Sequence, residues 1–259
     1  MSDAAEDLVA ALAGGLIGSC QPVRGGVFDR PELAALFALA ALDGGAVGLR
    51  VEGLADLRAV RAAVAARGRA VPIVGLVKRV EAGTDVFITP RLEDARELAA
   101  LGADVVAFDA TDRPRPVGVA ELVAAIHAAG TLAMADVSTE TEGVAAHRAG
   151  ADFVATTLSG YVPGTPQTPG PDLELVERLA RAGARVVAEG RIGTPDEAAA
   201  ARRRGAWSVV RDIRARRYGR GPPPRRLVSC GDIRAYRHTR GGPPRRLVSC
   251  ARYPRTPLR

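Results

Sequence analysis

The sequence predicts an α/β fold, a (β/α)8 TIM barrel whose eighth unit is truncated or replaced. Short apolar runs alternate with longer helical runs up to residue 210. Gly-Ala pairs recur where a helical run ends and an apolar run begins, which indicates one repeated αβ unit. Strands that are apolar on both faces belong in a parallel sheet covered by helices, and eight of them favour a closed barrel.

The elements follow from apolar runs and from their capping residues. The predicted strands are Gly15–Cys20, Ala46–Arg50, Val71–Val77, Asp104–Asp109, Thr131–Asp136, Asp152–Leu158, Arg185–Glu189 and Ala206–Val210. The predicted helices are Leu33–Leu42, Leu54–Ala66, Leu92–Leu101, Val119–Ala129, Thr141–Arg148, Asp172–Ala182 and Pro195–Arg204. Pro31 and Pro195 stand at helix starts, and Gly44 and Gly68 follow helix ends. A short apolar piece, Asp85–Thr89, adds to the third unit.

The charge of the chain is divided between two segments. Residues 211–259 hold fifteen Arg, no Lys and two Asp, whereas residues 1–210 carry a net charge of −6. The segments 211–230 and 231–250 are tandem copies that agree at fifteen of twenty positions. We therefore expect a barrel domain at 1–210 and an Arg- and Pro-rich, disordered tail at 211–259. The tail could bind nucleic acid without specificity through its charge, but it has no aromatic ladder for specific recognition.

Several function classes are disfavoured. No apolar run reaches transmembrane length, the N-terminus is acidic, and three cysteines without paired spacing favour a reducing cytoplasm. No G-x-G-x-x-G follows the first strand, which argues against a dinucleotide fold. His127 and His147 lie in predicted helices and His238 in the tail, so we expect no metal site.

Polar residues at the carboxyl ends of the strands are the candidate site, because that end of a TIM barrel forms the active face. They include Gln21, Arg50, Lys78, Asp109, Asp136, Thr156–Tyr161 and Glu189–Arg191. Lys78 is the sole lysine beside 35 arginines, which suggests chemistry that needs a primary amine. Glu189 ends an apolar run and is followed by Gly190 and a helix start, which places a proton-transfer group beside an anion site.

Ordinary structural roles compete with these interpretations. Glu189 could be a solvated residue at a strand end, and Lys78 a surface lysine. Cys20 could be a nucleophile, but no histidine stands at a strand end to activate it, so a small buried residue is the better interpretation.

Eight segments in this order resemble the N-acetylmannosamine-6-phosphate 2-epimerases. They are Gly15–Gln21, Gly44–Arg50, Val74–Arg79, Asp85–Pro90, Asp109–Thr111, Met134–Thr139, Thr156–Tyr161 and Ala188–Ile192. The resemblance covers about residues 12–210. It implies a phosphate-binding TIM barrel, with no metal or other cofactor, that interconverts N-acetylmannosamine 6-phosphate and N-acetylglucosamine 6-phosphate in sialic acid and amino sugar catabolism.

The resemblance also implies roles for single residues. Lys78 corresponds to the catalytic lysine, with Arg50 and Arg79 expected beside it, and Glu189 is its partner in proton transfer or ring opening. Gln21 and Arg50 would hold the oxygens that gain negative charge. The further substrate-binding residues that it implies are Asp136, Ser159, Gly190 and Arg191. The expected partner is a small phosphosugar, with no membrane and no specific nucleic acid, and a homodimer is compatible with the sequence.

The chain departs from the family after Val210. The family continues there into a Gly-containing loop that binds phosphate and then a final helix, whereas this chain continues into its repeats. A frame-shifted C-terminus would explain this and would lower stability and activity. Three hypotheses therefore stand: an active epimerase, a catalytically impaired barrel, and another phosphosugar barrel enzyme.

Overall fold

The computed structural model describes residues 3–212 of the chain. Its strands are β1 (Leu16–Cys20), β2 (Gly48–Glu52), β3 (Ile73–Leu76), β4 (Val105–Asp109), β5 (Leu132–Asp136), β6 (Phe153–Ala155), β7 (Val186–Ala188) and β8 (Ser208–Asp212). Its helices are α1 (Asp3–Leu12), α2 (Pro31–Asp43), α3 (Leu54–Ala66), α4 (Leu92–Ala100), α5 (Val119–Ala128), α6 (Glu140–Arg148), α7 (Leu173–Arg181) and α8 (Pro195–Arg203).

The strands form a closed parallel barrel in chain order. Each strand pairs with the next, and β8 closes on β1 with Leu16 opposite Val209 and Ser19 opposite Asp212. This confirms the predicted (β/α)8 barrel. In the described part of the chain, no helix is long and apolar enough to cross a membrane.

Alternate residues of each strand face two different cores. One core lies between the sheet and the helices, with Leu57, Val106 and Leu179 among its members. The other fills the barrel interior and contains Ile17, Phe153, Val187 and other buried residues. Side chains alternate between the two faces of a strand. Inward-facing residues that lie beyond the interior core along a strand are therefore found at the carboxyl end of the barrel.

An N-terminal helix that the sequence analysis did not predict closes the opposite end. Val9 and Leu12 of α1 belong to the interior core, and Leu12 is fully buried. The indole Nε1 of Trp207 donates to the carbonyl of Val9 at 3.1 Å. Within residues 3–212, helix α1 therefore covers the end of the barrel opposite the polar side chains.

The predicted junctions are confirmed. The glycines of the five Gly-Ala pairs have φ between +85° and +97°, a region that residues with a Cβ rarely adopt. Helix α8 begins as predicted, with Thr194 as its N-cap, Pro195 in its first turn and a capping box to Glu197.

Most strands begin or end one to three residues away from the predicted bounds, and two of these differences bear on the site. Strand β2 ends at Glu52 rather than at Arg50, which adds a second inward-facing residue. Strand β8 includes Arg211 and Asp212, two residues beyond the predicted domain boundary. The rest of the predicted tail, its repeats and the question of a final helix lie outside the described residues.

Candidate active site

A cavity of about 440 Å³ lies at the carboxyl ends of the strands. Six of the predicted site residues line it: Gln21, Arg50, Lys78, Glu189, Gly190 and Arg191. Its other lining residues are Ser19, Phe87, Ile88, Thr157, Leu158, Tyr161, Ile192, Val210 and Asp212. The barrel therefore brings charged residues that are far apart in the chain into one cavity, beside apolar ones.

The backbone of Lys78 is fixed by the apolar piece Asp85–Thr89. Lys78 forms an antiparallel bridge with Ile88, and the flanking Arg79 and Thr89 N–H groups donate across it at 2.8 Å. The Lys78 Nζ donates to Gln21 Oε1 and to Glu52 Oε2, both at 2.8 Å. The amine is thus held by side chains from two neighbouring strands.

The surroundings of Lys78 correct two expectations. Arg79 was expected beside the amine, but its guanidinium pairs with Asp94 at 2.6 Å. Arg50 turns instead toward Asp136 and Glu189. Glu52 is not among the predicted site residues, because the predicted second strand ends at Arg50. Glu52 lies two residues after Arg50, and this spacing puts both side chains on one face of a strand. The spacing is the signal in the sequence that could have identified Glu52.

Arg50 joins the fully buried carboxylate of Asp136 to the carboxylate of Glu189, which lines the cavity. Its Nη2 donates to Asp136 Oδ2 at 2.5 Å, and its Nη1 lies 3.2 Å from Glu189 Oε2. The hydroxyl of Thr157 lies 2.7 Å from Asp136 Oδ1 and 3.2 Å from Glu189 Oε2. The Nε of Arg50 is buried and has no hydrogen-bond partner among the described residues. It is therefore an unsatisfied buried donor in a residue that lines the cavity.

Burial changes the protonation of this cluster. It raises the pKa of the Glu189 carboxyl to about 7, an effect that Arg50 opposes and that the charges of Asp136 and Asp212 reinforce. Burial also raises the pKa of Asp136, against the opposing effects of Arg50 and Thr157. Glu189 can therefore both give and take a proton near neutral pH.

Two predicted substrate-binding residues do not line the cavity. Asp136 is fully buried, and its two oxygens are engaged by Arg50 and Thr157. The Ser159 hydroxyl donates to Asp172 at 2.7 Å, and the Ser159 carbonyl accepts from Arg191 at 2.6 Å. Both residues support the side chains that do line the cavity, and Thr157 is a lining residue to which the sequence analysis gave no role.

The predicted anion site is only partly available. The N–H groups of Gly193 and Thr194 at the start of α8 donate to Glu197 Oε2 at 2.7 and 2.9 Å, so the helix caps itself. Gly190 and Arg191 line the cavity, and both have positive φ, +102° and +57°. The Arg191 guanidinium is anchored by the Gly170 carbonyl and lies over the ring of Tyr161. The positive φ of Arg191 is a strained conformation for a residue with a Cβ, and these two contacts of its guanidinium offset the strain.

The remaining candidates have structural roles. Cys20 is buried, and burial, followed by the charge of Asp212, raises the pKa of its thiol to about 12, so it is not a thiolate nucleophile near neutral pH. His127 Nε2 pairs with Asp152 at 2.8 Å, beside a second cavity at the end of the barrel that α1 closes. Within residues 3–212, no three His, Cys, Asp or Glu residues are grouped to hold a metal ion.

Comparisons with known proteins agree with this architecture. Residues 34–213 match the NanE family, described as "Putative N-acetylmannosamine-6-phosphate epimerase". Proteins named "Putative N-acetylmannosamine-6-phosphate 2-epimerase" from Escherichia coli O157:H7 and Shigella dysenteriae serotype 1 are each 53% identical over 201 residues, which are 77% of this chain and 85% of theirs. A solved N-acetylmannosamine-6-phosphate 2-epimerase from Clostridium perfringens superimposes with a TM-score of 0.75 and is 38% identical, over 79% of this chain and 88% of that one. On this evidence the chain belongs to the NanE family of N-acetylmannosamine-6-phosphate epimerases.

Proposed function

We propose that this chain inverts C2 of N-acetylmannosamine 6-phosphate to give N-acetylglucosamine 6-phosphate, by removal and return of the C2 proton through an enolate whose negative charge lies on the C1 oxygen. One observation carries the proposal. Lys78 follows β3 and Glu189 follows β7, which are four strands apart around a closed barrel of eight, and both line the same cavity. Two proton-transfer groups on opposite sides of a bound sugar can reach the two faces of one carbon.

The chemistry needs the open-chain sugar, in which the C1 aldehyde makes the C2 proton acidic. One group in its basic form removes this proton, and the opposite group in its acidic form supplies a proton to the other face. In the reverse direction the two groups exchange roles. The Glu189 pKa of about 7 supports this, because the carboxyl can serve in either state.

We assign Arg50 to stabilising the negative charge on the C1 oxygen of the enolate. Its guanidinium is 1% exposed, lines the cavity and keeps a free buried Nε–H. A preorganised donor in a buried site stabilises an oxyanion without reorganisation at the moment of reaction. Gln21 orients Lys78, and its Nε2 donates to Ser19 at 2.9 Å.

For the phosphate we assign Gly190 and Arg191, with Asp136 and Ser159 as supports of the residues around them. Asp212 stands against this assignment, because it adds a carboxylate to the lining of the same cavity. Its charge also raises the pKa of Glu189, so its field reaches the reacting groups. We therefore propose that Asp212 acts on the reaction through Glu189, whose pKa its charge raises.

The rest of the proposal concerns the setting of the reaction. No step above is routed through a metal or an organic cofactor, and the partner is a small phosphosugar rather than a membrane or a specific nucleic acid. We place the reaction in the cytoplasm, which fits the free, buried thiol of Cys20.

The test is turnover of N-acetylmannosamine 6-phosphate by the full chain, with N-acetylglucosamine 6-phosphate measured as product. We expect turnover by the natural sequence and a loss of at least a thousandfold in Lys78→Met, which keeps the length of the side chain without its amine. Absence of product from the natural sequence after prolonged incubation would support the catalytically impaired barrel. Equal turnover by both proteins would refute the role of Lys78.

A further inference from the structure

Glu52 is the charged partner of the lysine that the proposed reaction uses. It is the last residue of β2, its side chain is 6% exposed, and its Oε2 lies 2.8 Å from Lys78 Nζ. The Lys78 side chain is 32% exposed. A buried carboxylate thus holds a more accessible amine at the edge of the cavity, while Glu52 itself does not line that cavity.

The other side of Glu52 is held by Arg24, in the loop between β1 and α2. Arg24 Nε lies 3.3 Å from Glu52 Oε1, and its Nη2 donates to the Glu52 carbonyl at 3.1 Å. Gly53 leaves room for this contact, because a Cβ there would lie 2.3 Å from Arg24 Nη2. Arg24 is itself paired with Asp29 at 2.9 Å. The two oxygens of Glu52 are therefore divided between Lys78 and the loop.

We propose that Glu52 is a positioning residue for Lys78: it holds the Nζ at the cavity edge and balances its charge whenever the amine is protonated. The inference rests on the proposed function, because that function makes Lys78 a catalytic residue. The contacts between Glu52 and Lys78 do not depend on that function. A carboxylate next to an ammonium stabilises the charged form, and only the neutral amine is a base or a nucleophile. Glu52 thereby fixes the place of the amine at the edge of the cavity.

The chain offers a direct probe, because Lys78 is its sole lysine. An amine-acylating reagent used in trace amount modifies only Lys78 and the α-amino group. Cleavage after arginine then isolates Lys78 in the peptide 70–79, whose labelling rate is read by mass spectrometry. The same peptide, free in solution, serves as the reference for an unconstrained lysine. No turnover is needed, so failure of the proposed function and failure of this inference are separable.

The variant is Glu52→Gln, which removes the charge and keeps the shape. We expect Lys78 to label about tenfold faster at pH 7.5 than in the natural protein, with an unchanged melting temperature. The other charged groups that line the cavity are unchanged in this variant: Arg50, Glu189, Arg191 and Asp212. The conservative Glu52→Asp should stay within threefold of the natural rate. Glu81→Gln is the matched control, since Glu81 pairs with Arg79 and Arg91 rather than with Lys78.

Each outcome decides the inference. An unchanged labelling rate in Glu52→Gln would overturn it, as would a faster rate that appears only together with a lowered melting temperature. If Glu52→Gln does not fold, the labelling rate of Lys78 in the natural protein still tests the inference. Lys78 should then label about tenfold slower than the free peptide, because its amine is engaged by Gln21 and Glu52, and equal rates would overturn the assignment. In turnover, Glu52→Gln should lower kcat and leave KM nearly unchanged.

Discussion

Replacing Glu189 by Gln should change how the stability of the protein depends on pH. Burial raises the pKa of this carboxyl from 4.5 to about 7 in the folded chain. A group with a raised folded pKa binds its proton more tightly in the folded state, so its contribution is fully present below the unfolded pKa. That contribution is lost as the pH rises toward and through 7. Glutamine resembles the neutral carboxyl in size and cannot ionise.

The magnitude follows from the two pKa values. A carboxyl that titrates near 4.5 unfolded and near 7 folded lowers the free energy of unfolding by about 3 kcal/mol between acid and pH 8. About 2.5 kcal/mol of this falls between pH 5 and pH 8. The side chain is 13% exposed, so screening by solvent is small.

The assay is urea unfolding, followed by circular dichroism at pH 5 and pH 8. From pH 5 to pH 8, the natural protein should lose about 2.5 kcal/mol more stability than Glu189→Gln does. Glu121→Gln on the exposed surface of α5 is the matched control and should follow the natural protein. Parallel pH dependences of the natural protein and Glu189→Gln would refute the reasoning that burial keeps Glu189 protonated.

Two further predictions concern the walls of the cavity. Thr157→Val removes the hydroxyl that lies between Asp136 and Glu189, so steady-state kinetics should show kcat lowered about tenfold or more, with Thr157→Ser close to the natural protein. Equal losses in both variants would show that packing rather than the hydroxyl matters. Asp212→Asn removes a carboxylate whose charge raises the pKa of Glu189, so the pH profile of kcat should shift to lower pH than that of the natural protein. An unchanged pH profile would show that Asp212 does not act on Glu189.

The barrel could be predicted from sequence because its signals are local and repeated. Apolar runs on both faces and glycines at positive φ occur in each unit, and neither needs knowledge of distant contacts. The capping box at Thr194 is local as well. Helix α1 was not predicted, because its buried residues Val9 and Leu12 pack into the interior core. The other residues of that core come from strands far along the chain.

The site was predicted less completely, because side-chain direction depends on strand register. Six predicted residues line one cavity, but Asp136 and Ser159 point to other partners. Glu52 was missed through a shift of two residues at the end of β2. The start of α8 looked like an anion site in the sequence, whereas its own Glu197 occupies the N–H groups of Gly193 and Thr194. Only the folded geometry shows which donors are already used.

The central claim is that Lys78 and Glu189 exchange the C2 proton from opposite faces of the sugar. The most direct measurement is the incorporation of deuterium at C2 while the full chain acts on N-acetylmannosamine 6-phosphate in deuterated water. NMR follows this incorporation. We predict that N-acetylglucosamine 6-phosphate carries solvent deuterium at C2 from its first appearance, and that neither Lys78→Met nor Glu189→Gln forms it at a comparable rate. Product that retains the original C2 hydrogen would contradict the account.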